Sequence, residues 1–292
     1  MLTLLCKENL KLCSLGSLLY EFVTEAFDFD YPIKYPFDTA WIVGSVNGLI
    51  CLKNAKEYLL LWNPSIRKLK KVTSFVAAPT PTPGRYRYGF GYDELNDDYK
   101  LVSAFYSTNG RSDVKVNMYS LNSDHSWRRI DDFPDGVLLG SAKSVDGKLH
   151  WITTGSCPGC NDRVIISIDL AGEKWGKLEQ PCYGVEYFLL WLGVLFCKYY
   201  ERNCIDVWVM KEYGVKESWT RMYTIEFRPD VENSVPSPPL CMSDKGEIVL
   251  VFGSTFMIYN PKDGLIRYLE VANIRFCIAG IVYIESLVCP IL

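Results

Sequence analysis

An all-β fold is predicted for this 292-residue chain by three properties of its sequence. Aromatic residues make up 14% of it, with 19 Tyr and 8 Trp, and such side chains suit a pleated, half-buried surface. Short apolar runs closed by turn-forming residues follow one another along most of the length. Stretches of helical apolar spacing are missing, Leu10 to Ala26 being the nearest approach to one.

The runs repeat in a fixed order. One element is an exposed aromatic or aliphatic anchor followed by two polar or small residues and then an aliphatic one: Leu69-Lys70-Lys71-Val72, Trp127-Arg128-Arg129-Ile130, Trp175-Gly176-Lys177-Leu178, Trp219-Thr220-Arg221-Met222 and Tyr268-Leu269-Glu270-Val271. These anchors are spaced by 58, 48, 44 and 49 residues. Seven to eleven residues ahead of most anchors lies an apolar strand running into a turn, as in Leu59 to Pro64, Val116 to Tyr119, Ile165 to Asp169, Ile205 to Trp208 and Phe256 to Pro261. A third element opens several units with a tight turn: Asn47-Gly48, Asp146-Gly147 and Lys245-Gly246 each precede an apolar strand. Glycine takes the positive φ of such turns without steric cost. Leu192-Gly193-Val194-Leu195 is a degenerate copy, and Asn96-Asp97-Asp98 holds the same place without glycine.

Repeats of roughly 40–50 residues, each a set of short antiparallel strands, are the blades of a β-propeller. Five units are complete. The ends supply the rest: Leu2 to Cys6 and Leu10 to Leu15 near the start, and Phe276 to Val288 near the finish, offer strands without an anchor. An open ring leaves bare strand edges. Pairing the N- and C-terminal strands completes one more blade, so six blades are expected, with seven the alternative. The chain reads as a single domain over residues 1–292, its signatures lying from about residue 40 onward. Two proline-rich segments, Ala77 to Gly84 and Arg228 to Pro239, read as surface loops.

Composition narrows the function. With a net charge of −3 and a pI near 5.6, the chain has no basic field for a nucleic acid. No apolar run approaches the roughly 20 residues of a spanning helix, and the N-terminus lacks the basic start of a signal peptide. Eleven Cys, an odd number without regular spacing, sit largely in apolar runs such as that around Cys51. They read as small buried hydrophobes in a reducing compartment, so the expected setting is cytoplasm, nucleus or both.

Reactive constellations are weak. Cys157-Pro158-Gly159-Cys160 is the one C-x-x-C, and His125 and His150 have no ligand spacing to it. Gly89-Phe90-Gly91 lacks the third glycine and helix of a nucleotide loop. Asp93, Asp97 and Asp98 lack the central Gly and final Glu of a calcium loop. The C-x-x-C reads as a plain loop, and the other two as a turn between blade strands. His150, between Leu149 and Trp151, is expected to pack or make one hydrogen bond. No catalytic, cofactor-binding or metal-ligating residues are assigned, and the chain is read as no enzyme. The rival is a propeller glycosidase or oxidase, which needs carboxylates or ligands converging from distant blades.

Binding energy concentrates in Tyr, Trp and Arg. The loop-proximal clusters of that kind are Arg85-Tyr86-Arg87, Tyr183 with Tyr187, and Tyr199-Tyr200-Glu201-Arg202. They are the candidate partner-binding residues.

Five stretches also carry a resemblance: Gly44 to Cys51, Leu61 to Lys68, Tyr88 to Asp93, Asp97 to Val102 and Tyr283 to Val288. In order and spacing they resemble the C-terminal half of plant F-box proteins with an F-box-associated interaction domain, which are related to the F-box/kelch proteins. That resemblance implies a propeller-like domain that recruits a target protein to a Skp1–cullin–F-box ubiquitin ligase. The F-box itself, a helical segment with an early Leu-Pro pair, has no counterpart in residues 1–43. The expected partner is therefore a target protein, with Skp1 and cullin joining only a longer form that carries an F-box. A scaffold outside any ligase, or a truncated product, is the third reading.

Overall fold

The structure is a computed structural model that describes residues 2–6, 10–21, 25–28, 41–54, 58–72, 84–107, 114–122, 126–130, 133–134, 136–154, 163–179, 187–191, 194–199, 204–227, 240–252, 254–274 and 277–290. Residues 77–83, 228–239, the Cys157–Cys160 pair and His125 lie outside them, while Gly84, read as the end of the first proline-rich loop, opens a strand instead.

These residues form six four-stranded antiparallel sheets. The first holds β4 (Trp41–Val46), β5 (Leu49–Lys53), β6 (Leu59–Asn63) and β7 (Lys68–Val72). The second holds β8 (Gly84–Asp93), β9 (Asp98–Ser107), β10 (Lys115–Ser120) and β11 (Trp127–Ile130). The third is β12 (Val137–Val145), β13 (Lys148–Thr154), β14 (Arg163–Asp169) and β15 (Trp175–Leu178). The fourth is β16 (Tyr187–Trp191), β17 (Val194–Tyr199), β18 (Cys204–Met210) and β19 (Trp219–Glu226). The fifth is β20 (Cys241–Met242), β21 (Ile248–Phe252), β22 (Thr255–Tyr259) and β23 (Ile266–Glu270). The closing sheet joins both ends of the chain: β24 (Cys277–Val282) pairs with β1 (Leu2–Cys6), followed by β2 (Leu10–Cys13) and β3 (Ala26–Asp28). The pairing of terminal strands expected from the sequence is thus present, with Leu2 opposite Val282 and Leu4 opposite Gly280.

Why so many strands read as continuous apolar runs is clear from their packing. A blade is covered on both sides, so successive side chains enter different seams. Leu49, Cys51, Leu59 and Leu61 meet Tyr88, Phe90 and Leu101 of the second sheet. Their neighbours Ile50, Leu52, Leu60 and Trp62 meet Leu10 and Tyr283 on the other side. The second and third sheets share a seam around Met118, Leu149 and Trp151. Trp219 meets Ile152 and Ile165 between the third and fourth, and Ile205, Val207 and Phe252 join the fourth to the fifth. Cys13, Leu18 and Ala26 of the closing region meet Val249, Phe256 and Ile258 of the fifth. Every sheet packs on the next, and the closing sheet packs on both of its neighbours. The repeat anchors Leu69, Trp127, Trp175 and Tyr268 are half-buried on the outermost strands, while Trp219 is buried.

Two-residue turns set the registers. Asn47 and Gly48 take φ of 49° and 80°, and Asp146 and Gly147 take 49° and 66°. That is the doubly left-handed geometry suited to the twist of a hairpin. One local expectation is corrected: the strand that the sequence extends to Leu15 stops at Cys13, and a short helix, α1 (Leu15–Tyr20), follows. Ser14 Oγ caps it by accepting from the Ser17 N–H at 3.2 Å. Leu18 and Leu19, adjacent on the helix, go into the seam with the fifth sheet.

Candidate partner-binding surface

The innermost strands β4, β8 and β12 approach one another, and β24 approaches β4. Inner strands of a propeller run the same way along its axis, so the ring has two ends. At the hairpin end lie the turns joining first and second strands, such as 47–48, 94–97 and 146–147. At the leading end lie the starts of the inner strands and the loops between second and third strands.

The described candidate residues all fall at the leading end. Gly84 opens β8 opposite Ser107, so Arg85, Tyr86 and Arg87 occupy the first turn of pleat. Tyr187 opens β16 opposite Lys198, and Tyr199 ends β17 opposite Cys204. Tyr183, Tyr200 and Arg202 lie outside the described residues.

Alternation along β8 sorts the first cluster into two seams. Tyr86 and Tyr88 point toward the first sheet, their rings stacked at 6.0 Å, with Tyr86 also 4.9 Å from Phe105. Arg87 points the other way: its Nε donates to the Leu138 carbonyl at 3.1 Å and its guanidinium lies 5.8 Å from the Tyr106 ring. Arg85 is exposed. The structure adds neighbours that the sequence reading missed. Trp41, 41% exposed, sits opposite Lys53, whose ammonium lies 4.8 Å from the Trp41 ring and 5.8 Å from that of Tyr88. Lys71 Nζ stands 3.6 Å from the Tyr58 ring. Counting back along the strands from the Asn47-Gly48 turn brings Trp41 close to Lys53, but a register shift between Ile42 and Gly44 intervenes.

Elsewhere, chemistry-bearing residues are absorbed by packing. A Cβ on Gly89 would stand 2.8 Å from Ala142, Leu149 and Trp151, and one on Gly91 would stand 2.7 Å from Leu170. The sequence reads Gly89-Phe90-Gly91 as a turn, but these residues lie within β8, and the glycines are there because the third sheet packs closely against that strand. Asp93 accepts from Lys100 Nζ at 2.7 Å, and Lys100 also donates to the Leu170 carbonyl at 2.6 Å. Burial opposes the Asp93 charge, but hydrogen bonds from Asn96 and Lys100 hold its carboxyl below the usual range. Asp98 accepts from the N–H groups of Leu121 and Asn122, at 3.1 and 2.9 Å. Among the described residues, no three His, Cys, Asp or Glu side chains gather as a metal site. His150 is buried and shares a 2.9 Å hydrogen bond through Nε2 with the Tyr213 hydroxyl. Burial pushes the Cys13 thiol up to about 11, that of Cys241 to about 12 and that of Cys51 higher still. Such thiols are inert. The six innermost strands contain one carboxylate in their sequences, Asp93, and Lys100 holds it. Among the described residues, no helix is long and apolar enough to cross a membrane.

A ring of four-stranded sheets, zipped shut by its terminal strands, is a β-propeller. The family described as F-box associated beta propeller domain matches residues 8–289, and the chain belongs to it. An F-box/kelch-repeat protein of Arabidopsis thaliana is 32% identical over 263 residues, which is 85% of this chain and 69% of that protein. The F-box protein CPR1 of Arabidopsis thaliana is 29% identical over 264 residues, 80% of this chain and 63% of that one. The chain thus spans about two thirds of the length of these relatives. Among solved structures, Porphyromonas gingivalis dipeptidyl peptidase 4 is similar at a TM-score of 0.47 and 9% identity, over 86% of this chain and 44% of that one. A likeness so distant adds nothing to the assignment.

Proposed function

We propose that this propeller is the target-recognising part of an F-box ubiquitin ligase receptor and binds a target protein through its leading end. Skp1 and cullin join through an F-box carried by a longer form. The observation that carries the reading is that Arg85, Tyr86, Arg87, Tyr187 and Tyr199 all sit at strand positions on the same end of the ring. Paired strands fix the ends of loops, and fixed loops suit recognition. The relatives, named as F-box proteins, supply the ligase context. Leu2 lies opposite Val282 and Cys13, at the hairpin end. A segment joined ahead of Leu2 would depart from there and leave the leading end open.

The test is capture from plant cells followed by crosslinking and mass spectrometry. Crosslinks from the captured protein should fall on leading-end segments, and Arg85→Ala should weaken capture by about tenfold, as for an interface arginine of about 1–2 kcal/mol. Joined to an F-box, the chain should direct ubiquitination of the same protein. Crosslinks confined to the hairpin end, or capture indifferent to Arg85, would overturn the choice of surface.

A further inference from the structure

We infer that the leading end of the first two sheets docks an acidic peptide segment of the partner, an assignment that rests on the recruiting function proposed above and specifies the partner's chemistry. The argument is one of charge. The chain as a whole is acidic, at −3, yet this end of the first two sheets presents Lys53, Lys71, Arg85, Arg87 and Lys115. Among the described residues, that end of these sheets carries no carboxylate. By sequence, residues 73–83, which join the two sheets, are uncharged. The other connections there add, again by sequence, Lys34, Lys56 and Arg111 against Asp30, Asp38, Glu57, Asp113, Asp131, Asp132 and Asp135, so the excess over the whole end is one positive charge and the cations are concentrated on the strands.

The cations are also mounted in a particular way. Lys71 and Arg87 lie over the rings of Tyr58 and Tyr106, and Arg87 is further fixed by the Leu138 carbonyl. Rings and neutral carbonyls orient a cation without neutralising it, whereas a salt bridge would consume its charge. Lys148 and Lys245 at the opposite end also lie over rings, those of Tyr213 and Tyr20, but there Lys100 is buried against Asp93, and Arg128 is paired with Glu173. Positive charge held on aromatic platforms, with exposed Trp41 beside it, suits an extended chain that brings carboxylates and some apolar surface together.

The experiment uses the full chain and a fluorescein-labelled glutamate-rich peptide, with its glutamine counterpart as control, read by fluorescence anisotropy at low and high salt. The glutamate peptide should bind at least tenfold tighter than the glutamine one, and salt should weaken it. Lys71→Glu, Arg85→Glu and Lys115→Glu should each weaken binding about threefold, and together more than tenfold. These side chains are exposed, so thermal melts should match wild type. Lys174→Glu and Lys262→Glu, exposed at the hairpin end, should leave binding unchanged. Equal affinity for the two peptides, or equal loss from the hairpin-end reversals, would overturn the inference. So would an oligonucleotide that displaces the peptide at lower concentration. If a captured target binds the triple variant undiminished, the acidic assignment falls and the recruiting function stands. If wild type captures no target but binds the glutamate peptide as expected, the recruiting function falls and the docking surface stands.

Discussion

Burial pulls the imidazole of His150 from its ordinary pKa of 6.5 to about 4, helped by the nearby Lys148 charge and opposed by backbone hydrogen bonds at Lys143 and Lys148 and by Asp146. The folded chain therefore holds this group neutral, while the unfolded chain protonates it below pH 6.5. Between those two values the unfolded state binds more protons, so stability falls as pH is lowered through the window. From pH 7 to 4.5 the loss from this one group is about 2 kcal/mol. His150→Leu should remove that component: urea unfolding at the two pH values should show a difference smaller by about that amount than in wild type, and an unchanged difference would contradict the assignment. The position of His150 within a strand was readable from Leu149 and Trp151 on either side. Its hydrogen-bond partner was not, because Tyr213 lies 63 residues away in another sheet's turn. Lys100 teaches the same lesson. The acidic turn around it is visible in the sequence, but the Leu170 carbonyl that fixes its ammonium is 70 residues downstream.

Hairpins are where local sequence determined structure most directly. Asn47-Gly48 and Asp146-Gly147 adopt the left-handed turns their residue types demand. Gly89 and Gly91 are glycines for another reason, since the sheet next door occupies the space a side chain would take. The difference predicts different costs. Gly147→Ala meets no atom within 4 Å but keeps a φ of 66°, a strain of about 1–2 kcal/mol. Gly89→Ala must push Leu149 or Trp151 aside, an overpacking cost of about 1–3 kcal/mol. The two are separable by structure: chemical shifts across the second and third sheets should move for Gly89→Ala, whereas those for Gly147→Ala should change only around the turn. A periodic pattern identifies strands and turns, but it does not say which flat residue lies under a neighbour. The helix α1 was missed for a related reason. Its six residues are too few to show a period, and the cap at Ser14 is its clearest signal.

The stretches that carry the family resemblance meet in space at one seam of the whole molecule. Asn63, from Leu61-Trp62-Asn63-Pro64, is fully buried and donates through Nδ2 to the carbonyls of Ser286 and Val288, at 3.0 and 2.7 Å. Ser286 Oγ in turn donates to the Asn47 carbonyl at 2.7 Å, and a Cβ on Gly48 would stand 2.7 Å from the Ile284 carbonyl. The segment after β24 is thus clasped over the first sheet's turn, and Tyr283 is buried beside it. Asn63→Ala would leave two carbonyls without their donor, at a cost of about 2–3 kcal/mol. Thermal unfolding should register that loss, and limited proteolysis should cut within residues 283–290 sooner than in wild type. An unshifted melt would mean that the clasp contributes little. No feature of local sequence could pair Asn63 with residues more than two hundred positions away. Only the expectation of a closed ring brought the chain ends together.

The closing sheet also imposes an order of events on synthesis. β1, β2 and β3 leave the ribosome long before β24, the strand that must lie innermost among them. Until it arrives, the edge of β1 that pairs with it stands open to chaperones or to neighbouring chains. A message cut short before Cys277 yields a product in which β1 keeps that edge unpaired, a gap by which quality control can sort complete chains from truncated ones.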